Sequence, residues 1–236
     1  MLKKFSFVLL LIINLSACVQ KREVEKTSLS TEEDKLKLIF SDDFENDTKQ
    51  WITEFENPNS SNLKVINGKL DLSSTAGATV WFKNKLKGNL IITYNVTIVD
   101  KGGLTDRVSD MNTFWMATNP KDENLFKQDG KFSSYDHLNL YYAGIGGHNN
   151  TKTRFRKYEG SGSKDILKEY TDEAHLLVGN KEYRIKIIIN NNLIQYYLDD
   201  NLYWEFNDLS NYKEGYFGFR TTNSHQLYEN FRVFKF

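Results

Sequence analysis

Residues 183–206 read YRIKIIINNNLIQYYLDDNLYWEF, and this stretch decides the fold. Tyr183–Ile189, Leu193–Leu198 and Leu202–Phe206 are short runs rich in β-branched and aromatic residues, alternating with a period of two. Asn190-Asn191-Asn192 and Asp199-Asp200-Asn201 separate them. Asn and Asp tolerate the left-handed backbone that tight turns need, so the stretch predicts a three-stranded antiparallel meander.

The same pattern extends outward. Asn67-Gly68 lies between two alternating segments within Leu63–Leu72, a hairpin signal. Thr79–Phe82, Leu90–Val99, Asn112–Ala117, His137–Ala143, Thr153–Tyr158, Tyr216–Arg220 and Phe231–Phe236 read as further strands. Only Glu32–Lys37 and Asp172–Leu177 suggest helix, and both are short. Many short strands separated by turn residues predict an all-β, two-sheet antiparallel β-sandwich over residues 38–236. Phe114, Leu138, Leu140, Phe155, Ile185, Ile187, Phe217 and Phe219 are its expected core.

The beginning of the chain has a different character. Lys3 and Lys4 precede an apolar run, Phe5–Leu15, and then Leu15-Ser16-Ala17-Cys18. A basic start, a short apolar stretch and small residues make residues 1–17 a secretory signal. The run is short for a spanning helix. Cys18 is the only cysteine, and its place after the small residues resembles the lipobox of bacterial lipoproteins. That resemblance implies cleavage before Cys18, lipidation of its thiol and membrane attachment through acyl chains alone. Val19, rather than Asp, follows it, which by the same resemblance implies the outer membrane, with its periplasmic or surface face left open. Residues 18–37 are otherwise polar and charged, and read as a flexible tether. With Cys18 lipidated, the domain has no thiol left for a disulfide. The 31 basic and 31 acidic side chains balance, and losing Lys3 and Lys4 leaves a slight acidic excess. A nucleic-acid partner, which would want a basic excess, is not expected.

Ile39-Phe40-Ser41-Asp42-Asp43-Phe44 near the start of the domain and Asn230-Phe231-Arg232-Val233-Phe234 near its end resemble the terminal strands of the concanavalin A-like lectin and glucanase superfamily. The resemblance implies a jelly roll whose first and last strands lie side by side. Residues Asp106–Ala117, Tyr141–Asn150 and Thr153–Arg156 resemble an uncharacterised group of bacterial lipoproteins with such a domain, found among polysaccharide-degrading proteins. A polysaccharide or oligosaccharide partner is the expectation that follows.

Alternation sorts the side chains of the middle strands by face. Trp115 opposes Phe114 and Met116. Asn139 and Tyr141 oppose Leu138, Leu140 and Tyr142. Arg154 and Arg156 oppose Phe155. If the strands are neighbours, Trp115, Asn139, Tyr141, Arg154 and Arg156 share one surface, a mixture of rings, amides and guanidinium groups that suits sugars. Arg107 adds a further cation. His148 follows Gly146-Gly147 and is the best candidate for a base. The E-x-D-x-x-E run of the superfamily's glucanases is absent. A polysaccharide lyase instead needs a cation to neutralise a uronate carboxylate and a His or Tyr to move the proton, so His148, Tyr141 and Arg154 are the catalytic candidates.

Asp42 and Asp43 suggest a turn or a structural calcium, Asp199 and Asp200 a hairpin turn, and Asp106 and Asp110 a loop fixed by Arg107. No zinc spacing, nucleotide fingerprint or nucleophile elbow is present, so no cofactor is expected. Three readings stay open: a glycan-binding module, a lyase on an acidic glycan, and a structural lipoprotein with a non-catalytic lectin-like fold.

Overall fold

The computed structural model describes residues 36–236. Cys18, the signal 1–17 and all but the last two residues of the expected tether lie outside the described residues, as does most of the helical candidate Glu32–Lys37. Fourteen strands follow: β1 (Lys37–Asp42), β2 (Trp51–Phe55), β3 (Ser61–Ile66), β4 (Lys69–Phe82), β5 (Leu86–Lys87), β6 (Leu90–Ile98) and β7 (Met111–Thr118). Then come β8 (Asn139–Gly146), β9 (Lys152–Glu159), β10 (Lys164–Tyr170), β11 (Glu182–Asn190), β12 (Leu193–Leu198), β13 (Asn201–Asn207) and β14 (Glu214–Lys235).

Two strands bind the sandwich together. The first part of β14 pairs with β7 and its last part with β6, while β4 runs antiparallel alongside it. The register shifts between Thr222 and Ser224. The end of β4 pairs with β2 and its beginning with β3. One layer is therefore β10-β9-β8-β7-β14-β4-β2 and the other β13-β12-β11-β6-β14-β4-β3. Strand β1 pairs with β14, so the first and last strands are neighbours.

The meander forms as read, with Asn191, Asp199 and Asp200 at positive φ in its turns. Tyr216–Arg220 and Phe231–Phe236, read as two strands, are the two ends of one, because the polar residues between them carry β14 from layer to layer. Strands β2, β5 and β10 are not among those that alternation predicts. Asp172–Leu177 contains one 3₁₀ turn, Glu173–His175, and no α-helix.

Aromatic side chains fill the space between the layers. Trp115 lies against Tyr196 with ring centroids 6.1 Å apart. Phe155 stacks on Trp204 at 5.2 Å, and Tyr94 meets Phe219 edge-on at 5.0 Å. The eight expected core residues are all buried. Three of them, Phe114, Leu138 and Leu140, belong instead to a second apolar cluster with Trp81, Leu125, Tyr135 and Tyr158. This cluster lies on the outer face of the β7–β8–β9 layer, beneath the segment that links β7 to β8.

Candidate functional site

Strand register assembles the site. Arg154 is opposite Gly144, Gly144 opposite Asn112, and Asn112 opposite Arg220. Two residues along each strand, Arg156 faces Tyr142, Tyr142 faces Phe114, and Phe114 faces Gly218. Directly opposed residues point to the same side, so these two rows lie on the outer face. Part of that face opens into a groove of about 280 Å³.

Tyr142 and Asn112 form its floor. A Cβ on Gly144 would stand 2.1 Å from the Tyr142 hydroxyl, so the ring lies over the space that glycine leaves. The hydroxyl donates to Asn112 Oδ1 at 3.1 Å. Burial first, and then the nearby Asp110 charge, pushes the phenol well above its ordinary value, so it stays protonated. Phe132 stands on one side of the groove, and Lys152, Arg154 and Arg156 on another.

His148 enters from the turn at residues 147–150. His148, Asn149 and Asn150 hold φ of 53°, 57° and 58°, a left-handed run that L-residues adopt at a cost. Hydrogen bonds compensate. Asn150 Nδ2 donates to the Leu177 carbonyl and the Leu177 amide donates to Asn150 Oδ1, both at 2.8 Å. Arg154 Nη1 lies 2.9 Å from His148 Nε2. A guanidinium can only donate, so Nε2 is the acceptor in this contact. Arg154 Nε donates to Glu169. Arg156 Nη1 lies 3.3 Å from the Lys164 carbonyl, while its buried Nε has no partner.

Arg107 holds the rim together. Its Nε donates to the Asn223 carbonyl at 2.8 Å, Nη1 to Asn149 at 2.5 Å, and Nη2 to Asp110 and the Thr222 carbonyl, each at 2.5 Å. All three guanidinium nitrogens are thus engaged within the protein, so Arg107 is a brace and not a free glycan contact. Its partner Asp110 is the one carboxylate among the described residues lining the groove. Asp106 turns away, accepting the amides of Lys101 and Gly103 and pairing with His225 Nδ1 at 2.9 Å.

His148, Arg154 and Arg156 line one groove; of the residues that alternation grouped with the two arginines, Trp115, Tyr141 and Asn139 do not join them. Trp115 and Tyr141 are 0 % exposed between the two layers. The Tyr141 hydroxyl donates to Asp208 at 2.6 Å, and Asp208 is paired with Lys157 at 2.8 Å. Asn139 sits at the other end of β8, beside Gly160. The correction has a physical reason. Leu138, Leu140 and Tyr142 look like an inner face, but they lie under the linking segment, and the true inner face carries Trp115 and Tyr141. The tyrosine of the groove is Tyr142. Gly144, one pleat further on the same face, is the sequence signal for it, because a glycine there makes room for a ring.

Among the described residues no group of three or more His, Cys, Asp or Glu side chains is arranged to hold a metal. Asp42 serves the chain turn, accepting the Phe44 amide at 2.8 Å and the Trp51 indole N–H at 2.9 Å.

Solved structures share this architecture. A Bacillus subtilis protein of unknown function with a galectin-like fold is 17% identical, with a TM-score of 0.69, over 83% of this chain and 94% of that one. The endo-β-1,3-glucanase of Pyrococcus furiosus is 11% identical, with a TM-score of 0.62, over 85% and 95%. The carbohydrate-binding module CBM66 of Bacillus subtilis is 19% identical, with a TM-score of 0.54, over 77% and 93%. At these identities the likeness establishes the concanavalin A-like sandwich. No curated protein matches the chain. The family model for a domain of unknown function, DUF6250, matches residues 72–231, which takes in every groove residue named above; the chain belongs to the DUF6250 family.

Proposed function

We propose that this protein is a membrane-anchored lipoprotein whose groove holds an acidic polysaccharide. The observation that carries the reading is the convergence of Lys152, Arg154, Arg156 and His148 around a tyrosine floor. A tyrosine ring offers a platform for the C–H face of a sugar, and arginine forks suit a carboxylate or sulfate. The unpartnered Arg156 Nε is a donor that a ligand oxygen would satisfy. The glucanase and the carbohydrate-binding module among the structural neighbours support a glycan as the ligand class. Cys18 supplies the anchor, with the outer membrane as the place of action. Cys18→Ser should release the protein from the membrane fraction, and retention of that variant would refute the anchor.

A second reading, β-elimination on a uronate glycan, is favoured by the protonated Tyr142, which lines the groove together with His148 and the arginines. Arg154 and Arg156 would neutralise the carboxylate, His148 would take the C5 proton once its bond to Arg154 opened, and the Tyr142 phenol would protonate the leaving oxygen. Hydrolysis is less well served, since it asks for two carboxylates and the groove offers Asp110. Calorimetric titration of the Cys18→Ser protein with acidic and neutral oligosaccharides tests the binding reading. Tighter binding of neutral than of acidic chains would refute it. Ultraviolet absorbance from an unsaturated uronate product would assign the lyase.

A further inference from the structure

The polar row of the groove continues past its visible edge. Beyond Asn112 the register runs to Arg220, then Thr79, then Glu54, and the parallel aromatic row runs from Phe114 past Gly218 to Trp81. The covered half repeats the device of the open half. A Cβ on Gly218 would stand 2.6 Å from the Trp81 ring, just as Gly144 makes room for Tyr142. Residues 119–138 lie over this second half. Phe132 stands at the border, lining the groove while packing on Tyr142 with ring centroids 5.6 Å apart and on the Arg220 guanidinium at 5.1 Å.

Arg220 is costly where it sits. It is 0 % exposed, donates through Nη1 to Thr79 at 2.8 Å and the Gly130 carbonyl at 2.9 Å, and leaves Nε and Nη2 without partners. A buried, half-satisfied cation weakens a purely structural interior, where an apolar side chain would serve better. Glu54 beside it accepts the Trp81 indole N–H at 2.7 Å, and from the segment above it the Tyr135 hydroxyl at 2.9 Å and the Gln128 amide at 2.7 Å. Burial raises its carboxyl above the ordinary value.

The segment itself carries little regular structure. It contains no strand and one 3₁₀ turn, Phe132–Tyr135. Asn119, Asp122, Asn124 and Asp129 each accept the amide two residues on, bonds that travel with the segment.

We propose that residues 119–138 are a displaceable cover, and that Trp81 and Arg220 beneath it form a second anion-recognising part of the glycan groove, used by chains too long for the open half. The proposal rests on the groove reading above, and its test separates the two. Hydrogen exchange of the full chain, alone and with short and long oligogalacturonates or sulfated galactan oligomers, reads the cover directly. Without ligand, amides of 119–138 should exchange ~100-fold or more faster than those of β7 and β14, through local opening. Short oligomers should protect β8 and β9, and long ones should in addition accelerate exchange in the cover. Gly130→Ala, whose Cβ would lie 2.3 Å from the Glu56 amide nitrogen in the closed form, should tighten long oligomers ~10-fold and leave short ones unchanged. If short oligomers bind but long ones neither move the cover nor gain from Gly130→Ala, the cover proposal is overturned and the groove reading stands. If no acidic oligomer binds at all, both fall. Exchange of 119–138 at the rate of β7 and β14 in the free chain and in Gly130→Ala would overturn the cover independently of any ligand.

Discussion

Arg154 Nη1 sits 2.9 Å from His148 Nε2, tying the left-handed turn at residues 147–150 to strand β9. One contact thus joins the group best suited to hold an anion to the group best suited to move a proton. Arg154→Ala should weaken an acidic oligosaccharide ~10- to 100-fold and its neutral analogue far less, as measured by titration calorimetry. His148→Ala should keep affinity within a few-fold; if the protein is a lyase, turnover should fall ~10²–10⁴-fold. Equal losses on charged and neutral ligands would show that Arg154 acts only as scaffold.

Gly144 and Tyr142 make a pair that a methyl group would separate. Gly144→Ala should displace the Tyr142 ring and abolish measurable glycan binding, with the far-ultraviolet spectrum unchanged. Tyr142→Phe keeps the platform and loses the bond to Asn112, costing ~1 kcal/mol of stability and sparing binding. A lyase would lose activity in Tyr142→Phe nonetheless. Undiminished binding by Gly144→Ala would remove Tyr142 from the floor.

Trp115 and Tyr141 should behave as core. Trp115→Ala and Phe155→Ala should each cost ~3–5 kcal/mol in denaturant unfolding. Trp115→Phe should bind glycan as the parent does. A selective loss of affinity in Trp115→Phe, with stability kept, would return that residue to the ligand side.

His225 lies between two carboxylates, with Nε2 3.1 Å from Asp71 and Nδ1 2.9 Å from Asp106. Lys69 and Lys101 border the same hollow. The hydrogen bond to Asp71 foremost, and that to Asp106, raise the imidazole above its ordinary 6.5 against the opposing effect of burial. The folded form therefore holds its proton more tightly than the unfolded chain. The stability this contributes is complete below the unfolded value and is lost as pH rises through the higher folded one. Unfolding midpoints measured from mildly acidic to alkaline pH should fall across that window. His225→Gln should flatten the fall. The same slope in both proteins would assign it to other groups.

The architecture was legible wherever one face of a strand is dry and the turns carry Asn, Asp or Gly. Strands β11, β12 and β13 have both features. Strand β10, at an edge with most residues at least partly exposed, has no apolar alternation to read. Within β14 the polar run from Thr221 to Gln226 hides a strand, because its side chains bond inside the sandwich: Gln226 donates to Thr221 at 2.9 Å and accepts from Tyr228 at 2.6 Å. The site was half legible for a related reason. Period two separates Tyr141 from Tyr142 but does not say which looks inward when both sides of a strand are covered. What decides it is a cover with no periodicity of its own. The cations were easier, because Arg154 and Arg156 flank a single Phe155 whose side is unambiguous.

Strand β14 has one more effect, on the order in which the molecule can come into being. It follows every other strand along the chain, yet it is the middle of both layers. A nascent chain that ends before Glu214 has β7 and β6 but nothing to join either to β4. The pairing of β6 with β11 can precede it, but the joining of β6 and β7 to β4, and the entropy it costs, waits for this late segment. The sandwich should therefore close in one late step after synthesis of this region is complete, and a ribosome-bound fragment lacking β14 should leave β2, β3 and β4 open to proteases.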